Sequence, residues 1–245
     1  MVTIRCQGVT FPNIQAVLFD KDGTLANSES FLRSLAQKRS RLIDAQFPGV
    51  QEPLLMAFGV DGDRLNPAGL MAIGTRQENE IAAAAYVTET GRDWIESLET
   101  VRSAFVEADQ YMKRKADHTP LVSGVLPLLQ AMATAGLRLG ILSSDSTDNV
   151  KDFVEKYQLA PYFQLQMGTD GEVSKPDPRM LQQACDGLEV SPSQTLVIGD
   201  SQADIQLARS GAAGSIGVTG GWSSTFRLLA DAVIHQLEEI EILEQ

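Results

Sequence analysis

The sequence predicts an α/β protein, with a Rossmann-like parallel-sheet core interrupted by an inserted, all-helical domain. Three observations carry that prediction. From about Leu137 to the end, short apolar runs alternate with amphipathic helical patterns, as expected of parallel strands buried on both faces with helices between them. A similar run, Ala16 to Phe19, stands near the start. Between roughly Asn27 and His118 the periodicity is helical only.

Taken in chain order, the opening "MVTIRCQGVTF" alternates Val2, Ile4 and Cys6 against Thr3, Arg5 and Gln7, the pattern of a half-buried strand and not of a signal peptide. "AVLF" (Ala16 to Phe19) reads as a buried strand. Phe31, Leu32, Leu35, Leu42 and Ile43 recur at helical spacing, Ile81 to Val87 is alanine-rich and stops at Gly91, and Trp94, Ile95, Leu98, Val101, Phe105 and Val106 mark a long amphipathic helix. The later strands are "LRLGIL" (Leu137 to Leu142), "FQLQM" (Phe163 to Met167), "TLVIG" (Thr195 to Gly199), "GSIGV" (Gly214 to Val218) and "AVI" (Ala232 to Ile234). The core therefore comprises 1–25 and 119–245, joined through an insert at 26–118.

Composition narrows the function classes. The 245 residues are 43% hydrophobic and 21% charged, with a formal net charge of −12, which argues against nucleic acid or an anionic membrane as a partner. The dense basic stretch Arg33, Lys38, Arg39 and Arg41 reads as the solvated face of a helix, and "KRK" at Lys113 to Lys115 as cations at a helix C-terminus. Cys6 and Cys185 match no metal or redox spacing and suit a reducing cytoplasm, the expected location. No apolar run is long enough to span a bilayer.

Four polar stretches fall at predicted strand ends, where open α/β sheets bind ligands. They are Asp20-Lys21-Asp22-Gly23-Thr24; "ILSSDS", with Ser143 just past its strand; "VSKPDP", holding Lys175; and "VIGDSQAD", with Asp200 and Asp204. Singly each has a structural explanation: Ser143 or Ser146 as a helix cap, Lys175 as a surface lysine, Asp204 in a first helical turn, Asp22-Gly23 as a turn. Together, an acidic pair first and a third carboxylate last make a site for a hard cation and a phosphoryl group.

These stretches resemble the four motifs of the haloacid dehalogenase (HAD) superfamily of phosphohydrolases, and the insert resembles its C1-type helical cap, as in the phosphoglycolate phosphatase-like subgroup. The resemblance implies a Mg²⁺-dependent phosphatase acting on a small phosphorylated metabolite. It makes Asp20 the nucleophile that forms an aspartyl-phosphate and Asp22 the general acid and base. Mg²⁺ would be held by Asp20, the Asp22 backbone carbonyl and Asp200. Ser143, with Ser144 beside it, and Lys175 would bind the phosphoryl group, supported by Gly23, Thr24 and Asp204. Dehalogenating members lack an acid at the position of Asp22, so its presence favours phosphate esters.

In the cap, Arg76 within "AIGTRQENE" is a candidate for binding a substrate carboxylate, as in phosphoglycolate. Thr75-x-x-Glu78 is also a capping box that would simply start a helix there. A phosphomutase or phosphotransferase of the same superfamily would share every core residue. A non-catalytic phospho-acceptor signalling module, such as a response-regulator receiver, also has an acidic cluster, a Ser/Thr and a lysine, but is much shorter and has no inserted block.

Overall fold

A computed structural model of the chain describes residues 2–171, 173–224 and 226–243. In chain order the elements are β1 (Val2–Cys6), β2 (Val9–Ile14), β3 (Ala16–Phe19), α1 (Glu29–Asp44), α2 (Gln51–Phe58), β4 (Val60–Asp61), β5 (Arg64–Leu65), α3 (Leu70–Ile73), α4 (Arg76–Glu89), α5 (Trp94–Met112), α6 (Val125–Thr134), β6 (Arg138–Leu142), α7 (Thr147–Lys156), β7 (Phe163–Met167), α8 (Pro178–Gly187), β8 (Thr195–Gly199), α9 (Gln202–Arg209), β9 (Gly214–Val218), β10 (Ala232–Ile234) and β11 (Ile240–Leu243). They form two compact units, one of residues up to Ser28 with those from Thr119 on, the other Glu29–His118.

The first unit is built on a six-stranded sheet in the order β10-β9-β8-β3-β6-β7, every pairing parallel. β3 is central and buried at all four positions, which is why its sequence is an unbroken apolar run. Its side chains alternate between two cores. Val17 and Phe19 join Val125, Leu129, Met132, Val150 and Phe153 of α6 and α7, whereas Ala16 and Leu18 join Met180, Leu181, Leu207 and Ala208 of α8 and α9.

The chain moves outward from β3 to β6 and β7, then crosses to β8 on the other side, so the topological switch point lies at β3 and β8. Register places three strand ends level. Phe19 pairs with Ile198 on one side and Ile141 on the other, and the Asp20 N–H extends the ladder to the Ile198 carbonyl at 2.9 Å. Asp20, Asp200 and Ser143 consequently leave the same edge of the sheet.

The N-terminal strand expected from its alternation is β1, with Val2, Ile4 and Cys6 buried. Its partners are not legible locally: β1 lies between β2 and β11 in a separate antiparallel sheet, whose apolar face packs into the same core as Val17 and Phe19.

The second unit corrects two expectations. Its elements are mainly helical, but β4 and β5 form a small antiparallel hairpin, so it is not all-helical. Arg39 is not part of a solvated face. It falls in line with Leu32, Leu35, Ala36 and Ile43 on the buried side of α1, over the Phe105 ring at 4.0 Å and 3.3 Å from Asp109. Burial pulls its guanidinium down to about 10, against the pull of Asp109. In α5, Val101, Ala104, Phe105 and Ala108 are buried, whereas Trp94, Ile95 and Val106 are exposed.

Phe19 meets Phe163 edge-on at 6.2 Å between centroids and is fully buried. Phe19→Ala should therefore cost about 3–5 kcal/mol, read from the urea midpoint at unchanged m-value.

Candidate active site

Asp20 follows β3 directly and opens a tight loop. The Lys21 carbonyl accepts from the N–H groups of Thr24, Leu25 and Ala26 at 3.3, 2.9 and 2.8 Å, and the Gly23 N–H closes the loop onto the Ala26 carbonyl at 2.8 Å. Gly23 sits at φ +87°, where side chains are strained. A Cβ there would also lie 2.4 Å from Trp222 Nε1 and 2.5 Å from Asp200 Oδ2. Glycine lets this loop press against the segment that carries Trp222.

Three carboxylates converge beside it: oxygens of Asp20, Asp200 and Asp204 all lie within 4.8 Å of one another, and all three residues are buried. Lys175 Nζ bridges two of them, 2.8 Å from Asp20 Oδ1 and 2.7 Å from Asp204 Oδ1. Asp204 is at the third position of α9 in a capping box with Ser201, whose N–H reaches Asp204 Oδ2 at 3.0 Å. It thus starts the helix and holds the lysine together. Asp200, at the end of β8, accepts from Thr24 Oγ1 on Oδ1 and from Trp222 Nε1 on Oδ2, each at 2.7 Å.

Burial raises Asp20 above the usual carboxylate range, opposed by Lys175 and reinforced by Asp204 and Asp22. Asp200 is pushed well up, by burial first and then by Asp20 and Asp204, despite its bonds from Thr24 and Trp222. Burial works to lower Lys175, but Asp20 and Asp204 outweigh it and hold the ammonium above the ordinary lysine value. One ammonium among three buried carboxylates leaves a negative excess, and an all-oxygen donor set of this kind fits a hard divalent cation.

The Asp22 carboxylate is held differently, accepting from Lys21 Nζ at 2.6 Å and from the Ser28 hydroxyl. Lys21 is almost wholly buried and also lies 3.2 Å from Asp145. Asp145 in turn accepts from the Ser146 N–H and Asn149 Nδ2, at 2.9 and 2.7 Å. Its own N–H donates to Ser143 Oγ at 3.1 Å. Ser143 is buried, Ser144 beside it half-buried, and the helix cap of α7 is Ser146.

The first unit thus links Asp20, Gly23, Thr24, Lys175, Asp200 and Asp204 directly and Asp22 with Ser143 through Lys21 and Asp145, while Ser144 is placed only as the half-buried neighbour of Ser143. Arg76 belongs to the second unit, at the start of α4 behind the Thr75–Glu78 capping box. Its guanidinium is bonded to Glu80 at 2.8 Å and to Asp109. Sequence reasoning missed Lys21, Ser28, Asp145 and Trp222. Lys21 and Asp145 stood inside the quoted motifs; Trp222 stood behind two glycines after an apolar strand, a signal of close backbone approach that names no partner.

A model of the haloacid dehalogenase-like hydrolases matches residues 14–211. The chain belongs to that family. Over 217 residues this hydrolase is 30% identical to the phosphoglycolate phosphatase of Shigella boydii serotype 4, covering 87% of this chain and 84% of the relative. Its fold is similar to that of a protein from Haemophilus somnus 129pt described as a predicted phosphoglycolate phosphatase, with TM-score 0.67, 21% identity and coverage of 91% and 95%. It is similar also to a HAD phosphatase from Thermococcus onnurineus, with TM-score 0.61, 18% identity and coverage of 92% and 96%. The enzyme is a phosphatase of the HAD type. Among its described residues no helix is long and apolar enough to cross a membrane.

The crowding at Asp200 has a measurable consequence in chelator-treated protein. A group whose folded pKa is raised contributes stability below its unfolded pKa and loses it as pH rises through the folded value. Asparagine at 200 does not titrate, and its amide oxygen can accept from Trp222 Nε1 while its amide N–H donates to Thr24 Oγ1, reversing that bond. Asp200→Asn should melt about 2–4 °C above the parent at pH 7 with EDTA, the gap narrowing towards pH 4. Thermal melts across that range check it, and an unchanged or lower melting temperature at pH 7 would contradict the electrostatic account.

Proposed function

We propose that this phosphatase hydrolyses small-metabolite phosphomonoesters with Mg²⁺, through an aspartyl-phosphate on Asp20. The observation that carries the reading is the Asp20 carboxylate, buried at the switch point, anchored by Lys175 on one oxygen and clustered with Asp200 and Asp204. Phosphoglycolate is the first substrate to assay, since curated relatives at 30% identity are phosphoglycolate phosphatases.

In this reading Asp20, Asp200 and the Asp22 backbone carbonyl would hold Mg²⁺, with the Asp204 carboxylate beside Asp20 and Asp200. When bound, the metal neutralises charge on the phosphoryl oxygens and on Asp20. An Asp20 oxygen attacks phosphorus, the ester P–O bond breaks, and Asp22 gives its proton to the departing alkoxide. Asp22 then takes a proton from the water that attacks the aspartyl-phosphate, which releases inorganic phosphate and restores Asp20. Lys175 offsets charge on Asp20 and the phosphoryl group, and Ser143 and Ser144 donate to phosphoryl oxygens. The N–H of Asp145 occupies a lone pair of Ser143 Oγ, which leaves the hydroxyl proton to be given to a ligand.

Asp20→Asn should abolish phosphate release while the melting profile stays cooperative, and turnover above a few per cent of the parent would overturn the covalent route. Excess EDTA should remove activity, Mg²⁺ should restore it, and Ca²⁺ should restore little, because its looser shell lets a carboxylate bind through both oxygens. Asp22→Asn should slow an alkyl phosphate by roughly a hundredfold or more and p-nitrophenyl phosphate far less. Steady-state kinetics on both substrates decides, and equal slowing would show that Asp22 is not the acid.

A further inference from the structure

We infer that Trp222 is a positioning residue for the cation site: its indole N–H fixes the rotation of the Asp200 carboxylate. The inference rests on the Mg²⁺ reading above and goes beyond it by assigning a role to a residue outside the four motifs.

Among the described residues each oxygen of Asp200 receives one donor, Oδ1 from Thr24 and Oδ2 from Trp222, both at 2.7 Å. A carboxylate rotates readily about its terminal bond, so one donor would leave it free to swing. Two donors on opposite oxygens set its plane. Ionised, the group has about four lone-pair positions; the two donors take one on each oxygen, and the rest stay available to the cluster with Asp20 and Asp204. Losing a partner that orients a metal-binding group in this way typically weakens metal affinity roughly ten- to a hundredfold.

The indole is itself held firmly enough to do this. Trp222 is 6% exposed, and glycines at 23 and 221 allow the close approach that seats it. A Cβ on Gly23 would lie 2.4 Å from Trp222 Nε1, and a Cβ on Gly221 would lie 1.9 Å from the Gly23 carbonyl oxygen. The loop after β9 therefore rests directly on the backbone of the nucleophile loop, with Asp200 beneath both. Thr24 comes from that same nucleophile loop, so the two donors reach Asp200 from segments that brace each other. A role confined to packing would need the indole's shape but not its N–H on a carboxylate of the acidic cluster.

The test is Mg²⁺ binding by calorimetry on the full chain, which does not depend on turnover. Trp222→Phe keeps the ring and removes the N–H. It should weaken Mg²⁺ binding by roughly ten- to a hundredfold, with kcat returning to within about threefold of the parent once Mg²⁺ saturates. Thr24→Val should shift affinity the same way, and Thr24→Ser, which keeps the hydroxyl, should restore it. Equal Mg²⁺ affinity in the parent and Trp222→Phe overturns the positioning role and leaves the Mg²⁺ reading standing. Absence of Mg²⁺ binding by the parent removes both.

If Trp222→Phe does not fold, an optical measurement decides instead. The chain has two tryptophans, and Trp94 lies exposed at the start of α5 in the other unit. In Trp94→Phe the emission belongs to Trp222 alone. It should change with Mg²⁺ along the calorimetric isotherm, and silence through saturation would overturn the inference.

Discussion

Lys175 is the charge on which the site depends. Its ammonium is bonded to Asp20 and Asp204 at 2.8 and 2.7 Å, almost without solvent. Buried ionised carboxylates are costly unless paired. This lysine partly offsets that cost for two carboxylates at once, Asp20 at the end of β3 and Asp204 in the first turn of α9. Without it, Asp20, Asp200 and Asp204 would face one another with only neutral donors. With it, three buried carboxylates still face a single ammonium, a negative excess that fits a hard divalent cation.

The sheet makes this concentration of charge tolerable. β3 and β8 are buried at every position, and apart from Thr195, whose hydroxyl donates to the Ser191 carbonyl at the start of β8, they are apolar up to their C-terminal ends. Parallel register then does what local sequence cannot. It levels the ends of β3, β6 and β8, so that residues more than a hundred positions apart emerge within hydrogen-bonding reach. The glycines at 23 and 221 extend the same logic to the loops: Gly221 leaves room for the Gly23 backbone and Gly23 for the side chains of Trp222 and Asp200, and the contact brings Trp222 and Thr24 to opposite oxygens of Asp200.

The inserted unit gathers its charges differently. Arg39 and Arg76 lie over the Phe105 ring, at 4.0 and 5.9 Å, and share Asp109, while Arg76 and Arg102 share Glu80. Arg39 Nε is buried without a hydrogen-bond partner among the described residues. Paired cations on an aromatic face stabilise α1, α4 and α5 against one another. Arg76 is consequently tied into that network at the start of α4, where the capping box of Thr75 and Glu78 places it.

By itself the sequence determined the central strands, the order of the motifs along the chain and Asp20, Asp22, Ser143, Lys175, Asp200 and Asp204 as the polar residues in the segments that follow them. These were legible because a strand buried on both faces must be continuously apolar, so a charge at its end stands out. The helical character of residues 29–118 was legible for a similar reason, in its 3.6-residue period. Only the tertiary structure decided that Arg39 is buried, that β1 pairs with β11 across the whole chain, that residues 60–65 form a hairpin, and that Lys21, Asp145 and Trp222 belong to the site. Long-range pairing and side-chain partnership depend on which surfaces meet, and an arginine or a tryptophan reads the same in sequence whether its polar end meets water or a carboxylate.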